Sequence, residues 1–442
     1  MKKWIAAAVL LLVLAAAGIP FVRGIAVQGI VKDSVKDINR MYQDSGMGMN
    51  VDVLSYDRNF MTSRIEWELD LGTLTSLYGI DSIKFAENVN HGFVRTVSTT
   101  SLGKNKWYSD FVDQKLSGQD PLSIVNTYRV SGAVESKWTV DAFSFVQQGK
   151  TVEVKPGKMI LNLDREMKHI RSDVNWAGIE VPGEFGMENL AMTSGMKRVS
   201  GRIWDGSASC SIEKLRANEG QTRLVVDQLA YEVIPSFDKS ANAVSIEVMY
   251  GADRIEADGQ KIEDASMKVA VNHIDADRYT EFLTLWSESV AGILENVDAG
   301  DLRNNGRVDK TLERQMGRAG TRMAAACEKL LTKGLEIRIS DVQATFPKGD
   351  VTGNILLKLK RDMTFMQFLP VAVQPSAALD ILSLKSDFRL PYQMAGRQNT
   401  LLSPVYPGMQ TGFFVKQGAD LVHKAETRHG KLFLNGKEVR LQ

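Results

Sequence analysis

Five histidines, two cysteines and an ordinary supply of carboxylates are the groups in this 442-residue chain that could do chemistry. His91, His169, His273, His423 and His429 are scattered along it. No two share a helix face at metal-ligand spacing, and no His-Glu-x-x-His stretch occurs. His91 lies in Asn90-His91-Gly92, where a turn-stabilising or exposed role is expected. Cys210 and Cys327 are far apart in segments of different type. An oxidising compartment would permit a disulfide between them, although two unpaired buried thiols are the preferred reading. Two cysteines without clustered histidines make no zinc site. There is no Gly-x-Ser-x-Gly elbow, phosphate loop or dinucleotide fingerprint. The many Asp and Glu residues offer no pair to prefer as acid and base. No catalytic residue, cofactor or metal is therefore expected.

Two polar constellations remain. Tyr56-Asp57-Arg58 reads either as a recognition loop or as an Asp-Arg pair organising the turn into the first strand, and the second reading is preferred. Arg307, Lys310, Arg314, Arg318, Arg322, Lys329 and Lys333 fall on one broad face when wound at about 100° per residue. That face is a candidate surface for anionic lipid headgroups or an acidic partner, against the plainer reading of a solvated flank whose long stems cover the edge of an apolar stripe.

The elements that must carry these groups begin with a membrane signal. Lys2 and Lys3 precede an unbroken apolar run from Trp4 to Val22, followed by Arg23. A spanning helix needs about 20 such residues. The run continues past the small residues Ala15-Ala16-Ala17, so an uncleaved anchor is preferred over a cleaved signal peptide. Amino-terminal lysines keep that end in the cytoplasm. The remainder is then expected beyond an inner membrane, in the periplasm.

Lys plus Arg is 54 and Asp plus Glu is 53, so no global field favours nucleic acid. Hydrophobic residues make up 44% and charged residues 24%, which suits a folded chain. Helical spacing over Gly24 to Gln43 ends at Gly46 and Gly48. Period-two alternation follows in Arg64 to Leu71, with Ile65, Trp67, Leu69 and Leu71 facing inward. It returns in Leu335 to Ile339 and in Ile355, Leu357 and Leu359. Arg223 to Val233 is a further strand. Between residues 100 and 270, short strands separated by Gly, Asn and Asp turns are expected.

Helices are expected over Ala276 to Asn296, with Asp275 as N-cap, and over Val308 to Lys333, with Gly334 as C-terminal cap. They form a helical hairpin linked by Asp298 to Gly306. The chain closes with a hairpin at His429-Gly430 and a second turn at Asn435-Gly436 leading to Val439 and Leu441. Helix and alternating strands at the front, repeated from residue 276, would suit a duplicated α+β unit, although no residue-level repeat accompanies the pattern.

Several stretches resemble the YdgA-like family of bacterial envelope proteins of unknown function. Val53-Leu54-Ser55-Tyr56-Asp57-Arg58-Asn59-Phe60-Met61-Thr62-Ser63 is similar to that family's early Y-D-R-G-W-F-S-S stretch, with Asn59 where Gly is usual. Asn90-His91-Gly92 resembles its N-H-G turn. Gly334 to Ile337 with Gly349, and the tail from Gln417-Gly418 to Asn435-Gly436-Lys437, resemble its late strands. The resemblance implies a periplasmic protein held to the inner membrane, and it supplies no catalytic residues.

The expected fold class is α+β: an N-terminal membrane helix, then extended, mainly antiparallel sheets with a packed helical hairpin. The expected organisation is 1–23 as anchor or signal, 24–270 as helix plus β-rich region, and 271–442 as helical hairpin plus β-rich region. The expected function is non-enzymatic binding or scaffolding in the envelope. Alternatives are lipid or apolar-ligand transport and an uncharacterised envelope hydrolase. The inner membrane is the first expected partner, with anionic lipid or an envelope protein as a further one.

Overall fold

The computed structural model of this chain describes residues 2–45, 48–93, 95–220, 222–257, 259–294, 310–367, 375–394, 409 and 412–439. Side chains of residues 1–18, 44, 45, 77, 219, 293–316, 318, 319 and 365 lie outside that description. Strands make up 58% of the chain, so its coarse class is mostly antiparallel sheet with a few helices. The residues cluster into two compact units. The first comprises Met1–Ile179, Thr193–Arg198 and Thr284–Met323, and the second Glu180–Met192, Val199–Leu283 and Ala324–Gln442.

The first unit opens with one helix, α1 (Lys2–Ser45), which runs without a break from the apolar leader into the amphipathic segment. The leader and the segment after it were expected as separate elements, and Pro20 lies inside the continuous helix. Among the described residues, no helix is long and apolar enough to cross a membrane. The side chains of Trp4 to Gly18, which form most of the apolar run, are outside those residues. Past the helix Gly48 takes a φ of 66°, in keeping with the expected break. Val27 and Ile30 pack on Ile65, Val89 and Tyr128 of the sheet. Asn39 locks the far end of α1 to the edge strand, donating to the Val51 carbonyl at 2.8 Å and accepting from the Val51 N–H at 2.7 Å.

The sheet is a meander. β1 (Asn50–Arg58), β2 (Thr62–Asp70), β3 (Ser82–His91), β4 (Thr96–Ser101), β5 (Leu122–Tyr128) and β6 (Val134–Val140) pair in sequence, all antiparallel. β7 (Phe143–Gln147) and β8 (Lys150–Val154) form a further hairpin. β9 (Gly157–Leu163) returns beside β6 and pairs with β10 (His169–Val181). In β2, Ile65 is fully buried and Leu71 just past its end is buried, while Trp67 and Leu69 are half-buried, which is the alternation the sequence predicts. Trp67 stacks on Phe85 with ring centroids 3.9 Å apart, in a cluster with Tyr108 and Val112 of α3 (Lys106–Lys115). α2 is a single turn, Thr75–Tyr78.

β11 (Phe185–Ser200) leads to the second unit's sheet, where long strands pair in sequence: β12 (Ile203–Glu219), β13 (Thr222–Asp238), β14 (Ala243–Ala257), β15 (Gln260–Asp275), β16 (Glu336–Phe346) and β17 (Gly349–Leu359). β18 (Leu382–Pro391) follows β17 and pairs with β20 (Asp420–Arg428), beside which lies β19 (Val415–Gln417). Strands here reach 17 residues, where short ones were expected. Positions of turn-like backbone lie inside strands: Asn189, Gln228, Asp264, His273 and Asp341 take φ between 51° and 59° without leaving the sheet. The β14–β15, β15–β16 and β16–β17 registers shift beside His273, Asp264 and Asp341. These are β-bulges, which bend a strand rather than end it.

α4 (Ala276–Leu294) is capped as expected, with Asp275 Oδ1 accepting the N–H groups of Asp277 and Arg278 at 3.1 and 3.0 Å. α5 (Lys310–Leu330) ends before Gly334, whose N–H bonds the Leu359 carbonyl at 2.9 Å. Gly334 thus joins helix to sheet instead of capping the helix. Lys329 meets Glu281 at 3.1 Å across the base of the helix pair. The linker Asp298 to Gly306 lies outside the described residues. α6 (Ala378–Ile381) precedes β18. The tail hairpins form as expected: β20, β21 (Lys431–Leu434) and β22 (Lys437–Val439) are joined by His429-Gly430 and Asn435-Gly436, all four at positive φ. Both units run hairpin, short helical turn, strand: β1, β2, α2, β3 in one and β16, β17, α6, β18 in the other.

Candidate functional site

The inner face of the first unit's sheet, the one α1 covers, carries a polar seam. Glu87 on β3 is buried and accepts from Tyr128 OH at 2.6 Å, from Asn126 Nδ2 at 3.1 Å and from Ser98 Oγ. Ser136 donates to Asn126 Oδ1 at 2.6 Å and receives the Trp138 indole N–H at 2.9 Å. A buried carboxylate is retained only with its lone pairs filled, and three donors do that here. Burial, with the Glu87 charge beside it, pushes the Tyr128 hydroxyl well above the usual tyrosine range. Both effects favour a neutral phenol donating to a carboxylate.

Beside the seam, Ser63 Oγ and His91 Nε2 are 2.7 Å apart. Serine beside histidine is the opening of a nucleophile–base arrangement. Here His91 is 0% exposed and Ser63 3%, and His91 Nδ1 has no hydrogen-bond partner to orient the ring. The pair is enclosed by α1 and presents no nucleophile. Gly24 makes the enclosure close: a Cβ there would lie 3.2 Å from both His91 Nε2 and Arg58 Cδ. His91, expected to be exposed or turn-stabilising, is a core residue. The second unit holds a similar pair, Ser386 Oγ and His423 Nε2 at 2.7 Å, with His423 Nδ1 on the Phe413 carbonyl at 2.9 Å.

Burial lowers the pKa of both rings, with Arg58 adding to the effect at His91, while Phe413 O and Asp387 partly oppose it at His423. An unfolded chain binds protons at ordinary histidine values of about 6.5 that these buried rings refuse. Their stabilisation is therefore full above that pH and lost as pH falls toward the folded values. The denaturation midpoint should fall between pH 7.5 and 5.5, and a His91→Gln/His423→Gln variant should flatten that slope. An equal slope in the variant would assign the effect to other groups.

Above the seam, a groove of about 540 Å³ opens between α1 and the loops after β3 and β5. Ile19, Val22, Ala26, Ile30, Phe93 and Val130 make it apolar, Thr96 and Tyr128 line it from the sheet, and Arg23 and Arg129 also border it. Tyr56 OH donates to the Gly24 carbonyl at 3.4 Å, and Arg58 lies 4.9 Å over the Phe21 ring. The Tyr56-Asp57-Arg58 cluster thus ties β1 to α1. The turn after it is closed instead by Asn59 N–H on the Thr62 carbonyl at 2.8 Å.

The second unit carries an apolar sheet face. Ala208, Val233, Val248, Val269, Ile339 and Ile355 pair edge to edge across β12 to β17. On the same face, one row over, Cys210, Tyr231, Tyr250 and Met267 pair likewise, and on the other side Ile246, Val271, Ile337 and Leu357. The opposite face carries charges, with Lys268 Nζ on Glu247 at 2.6 Å. At one end the apolar face is filled by the core around Val244, Ile274, Leu335 and Leu359. Away from that core, among the described residues, the cover thins. The Val248 row is half-buried, and Tyr231 and Tyr250, 5.2 Å apart, remain 40% and 45% exposed. Among the described residues, an apolar face half-covered along its central row, with Tyr231, Tyr250 and Met267 exposed beside it, is not accounted for by the unit's own packing.

Of the cationic face expected on α5, Arg322 is exposed, Arg307 lies outside the described residues, and so do the side chains of Lys310, Arg314 and Arg318. Cys210 and Cys327 are half-buried and form no disulfide. No group of His, Cys, Asp and Glu that could hold a metal occurs among the described residues. The apolar rows were present in the sequence as alternation, but nothing there signals that the face is left open.

A family model described as a bacterial protein of unknown function (DUF945) matches residues 1–442. No curated protein and no solved structure matches the chain.

Proposed function

We propose that this chain, which belongs to the DUF945 family of bacterial proteins of unknown function, is an envelope protein that holds an apolar ligand of the lipid class against its second sheet. The single observation that carries the reading is the half-covered face of Val, Ile and Tyr across β12 to β17. Six strands at about 4.8 Å spacing make a strip of roughly 24 Å, which suits an extended acyl chain. The rows offer no charge for a headgroup, so the tail is what the face recognises. Placement in the envelope is supported by the apolar run Trp4 to Val22 and by the YdgA-like stretches, with the first helix as anchor and the body in the periplasm.

A photo-crosslinking residue at Tyr250 tests the site in the full chain. Transfer to lipid is expected, together with lipid-mass adducts in native mass spectrometry that Tyr250→Glu/Met267→Glu removes at least fivefold without changing circular dichroism. Crosslinks to a protein alone would replace the reading with a scaffold. Adducts unchanged in the variant would move the ligand elsewhere.

A further inference from the structure

We propose that one end of the first unit's sheet is a bilayer-docking surface, seated in the headgroup and upper acyl region of an anionic membrane. The proposal rests on the reading that the leader of α1 lies in that membrane.

The geometry follows from chain direction. Asn39 holds the far end of α1 at the start of β1, so the helix enters the unit at the opposite end. At that entry end lie the turns that follow β1, β3 and β5, because successive antiparallel strands bring alternate turns together. Each turn offers a bare apolar side chain. Phe60 is 54% exposed, Phe93 52% and Val130 89%, and Val22 on the helix is 62% exposed. Phe21 stacks on Phe60 with centroids 6.4 Å apart, and Phe93 and Val130 share the groove with Ile19 and Val22.

Turns are ordinarily polar, since they face water. Apolar tips on three turns that come together at one end of a sheet therefore call for a covering partner. The occupant is indicated by continuity. Ile19, Phe21 and Val22 lie in the last turn of the apolar run that begins at Trp4, so the exposed tips surround the point where that run leaves the unit. A bilayer holding the run would meet these tips at its surface. Arginines stand at the same level: Arg23 and Arg129 on the groove, Arg58 over Phe21, and Arg95 in the turn after β3. Arg129 is bound to Glu135 at 2.9 Å. Guanidinium groups beside apolar tips suit phosphate and acyl boundary together.

The opposite end differs. The β7–β8 hairpin lies there, with Val146 exposed on it. It supplies the internal control.

The experiment uses the full chain with Cys210→Ser and Cys327→Ser, reconstituted into vesicles containing phosphatidylglycerol. Nitroxide labels are attached at Phe93→Cys, Val130→Cys and Val146→Cys in separate samples. Labels at 93 and 130 should collide with oxygen at least threefold more, relative to a water-soluble nickel chelate, than the label at 146. Labels at 93 and 130 as aqueous as that at 146, in protein that floats with the vesicles, would overturn the docking and leave the anchor standing. Protein that fails to float would overturn both. Because all three side chains are more than half exposed, the substitutions leave the core untouched.

Discussion

Ile65→Ala should destabilise the first unit by about 3 to 4 kcal/mol, inside the span of roughly 2 to 5 kcal/mol for truncating a fully buried aliphatic side chain that leaves a cavity. Ile65 has no exposed surface and lies where β2 meets α1, in one cluster with Val27, Ile30, Val89 and Tyr128. The backbone around it has little freedom to collapse, because β2 is paired on both edges, to β1 and to β3. Lost contacts also reach the polar seam, since Tyr128 belongs to the same cluster and donates to Glu87. Urea unfolding read by tryptophan emission is suited to the measurement, with Trp67 stacked on Phe85 nearby. A loss below 1 kcal/mol would mean that α1 shifts freely onto the sheet, contrary to the locked geometry of Asn39 and Gly24.

The second large effect is expected at Gly353. Its partner across β17 and β18 is Phe388, and the ring lies over the glycine so closely that a Cβ would clash with Cδ1 and Cε1. Gly353→Val must displace the ring or open the pair, and a cost of about 2 to 3 kcal/mol is expected for such overpacking. Phe388 in turn lies 6.1 Å from the His423 ring. Displacement therefore reaches the buried Ser386–His423 pair. If the clash is the cause, Phe388→Ala should rescue much of it. The double variant would then cost less than the sum of the single ones by roughly 1 to 3 kcal/mol. Strict additivity would show that the ring swings away without penalty.

Much of the local structure was legible because its physics is local. The alternation in β2 is readable because one face is buried and the other is not. The Asp275 cap and the His429-Gly430 and Asn435-Gly436 turns depend on a few adjacent residues, and all three formed. The same kind of signal misled where tertiary pairing outweighed it. Asn189, Asp264 and Asp341 have turn chemistry, yet flanking ladders hold each in a strand as an irregularity. Thus segments read as short strands and turns became strands of up to 17 residues. His91 was misplaced for a related reason. Its turn-like neighbourhood is visible in sequence, but the cover that buries it comes from α1, through the space that Gly24 leaves.

By itself the sequence determined the apolar leader, the amphipathic helical segment after it, the two-residue period of the main sheets and the closing turns of the chain. Each is a matter of residue type and spacing within a few neighbours, where propensity and burial act directly. Tertiary structure alone decided that Glu87, Ser63 and His91 are interior, that Phe60, Phe93 and Val130 share the end where α1 enters, and that the Tyr250 row is left half bare. Apolar alternation reads the same whether a face is covered or open. Its cover depends on pairings between strands far apart in the chain, whose register is set by the sum of many weak contacts rather than by any one segment.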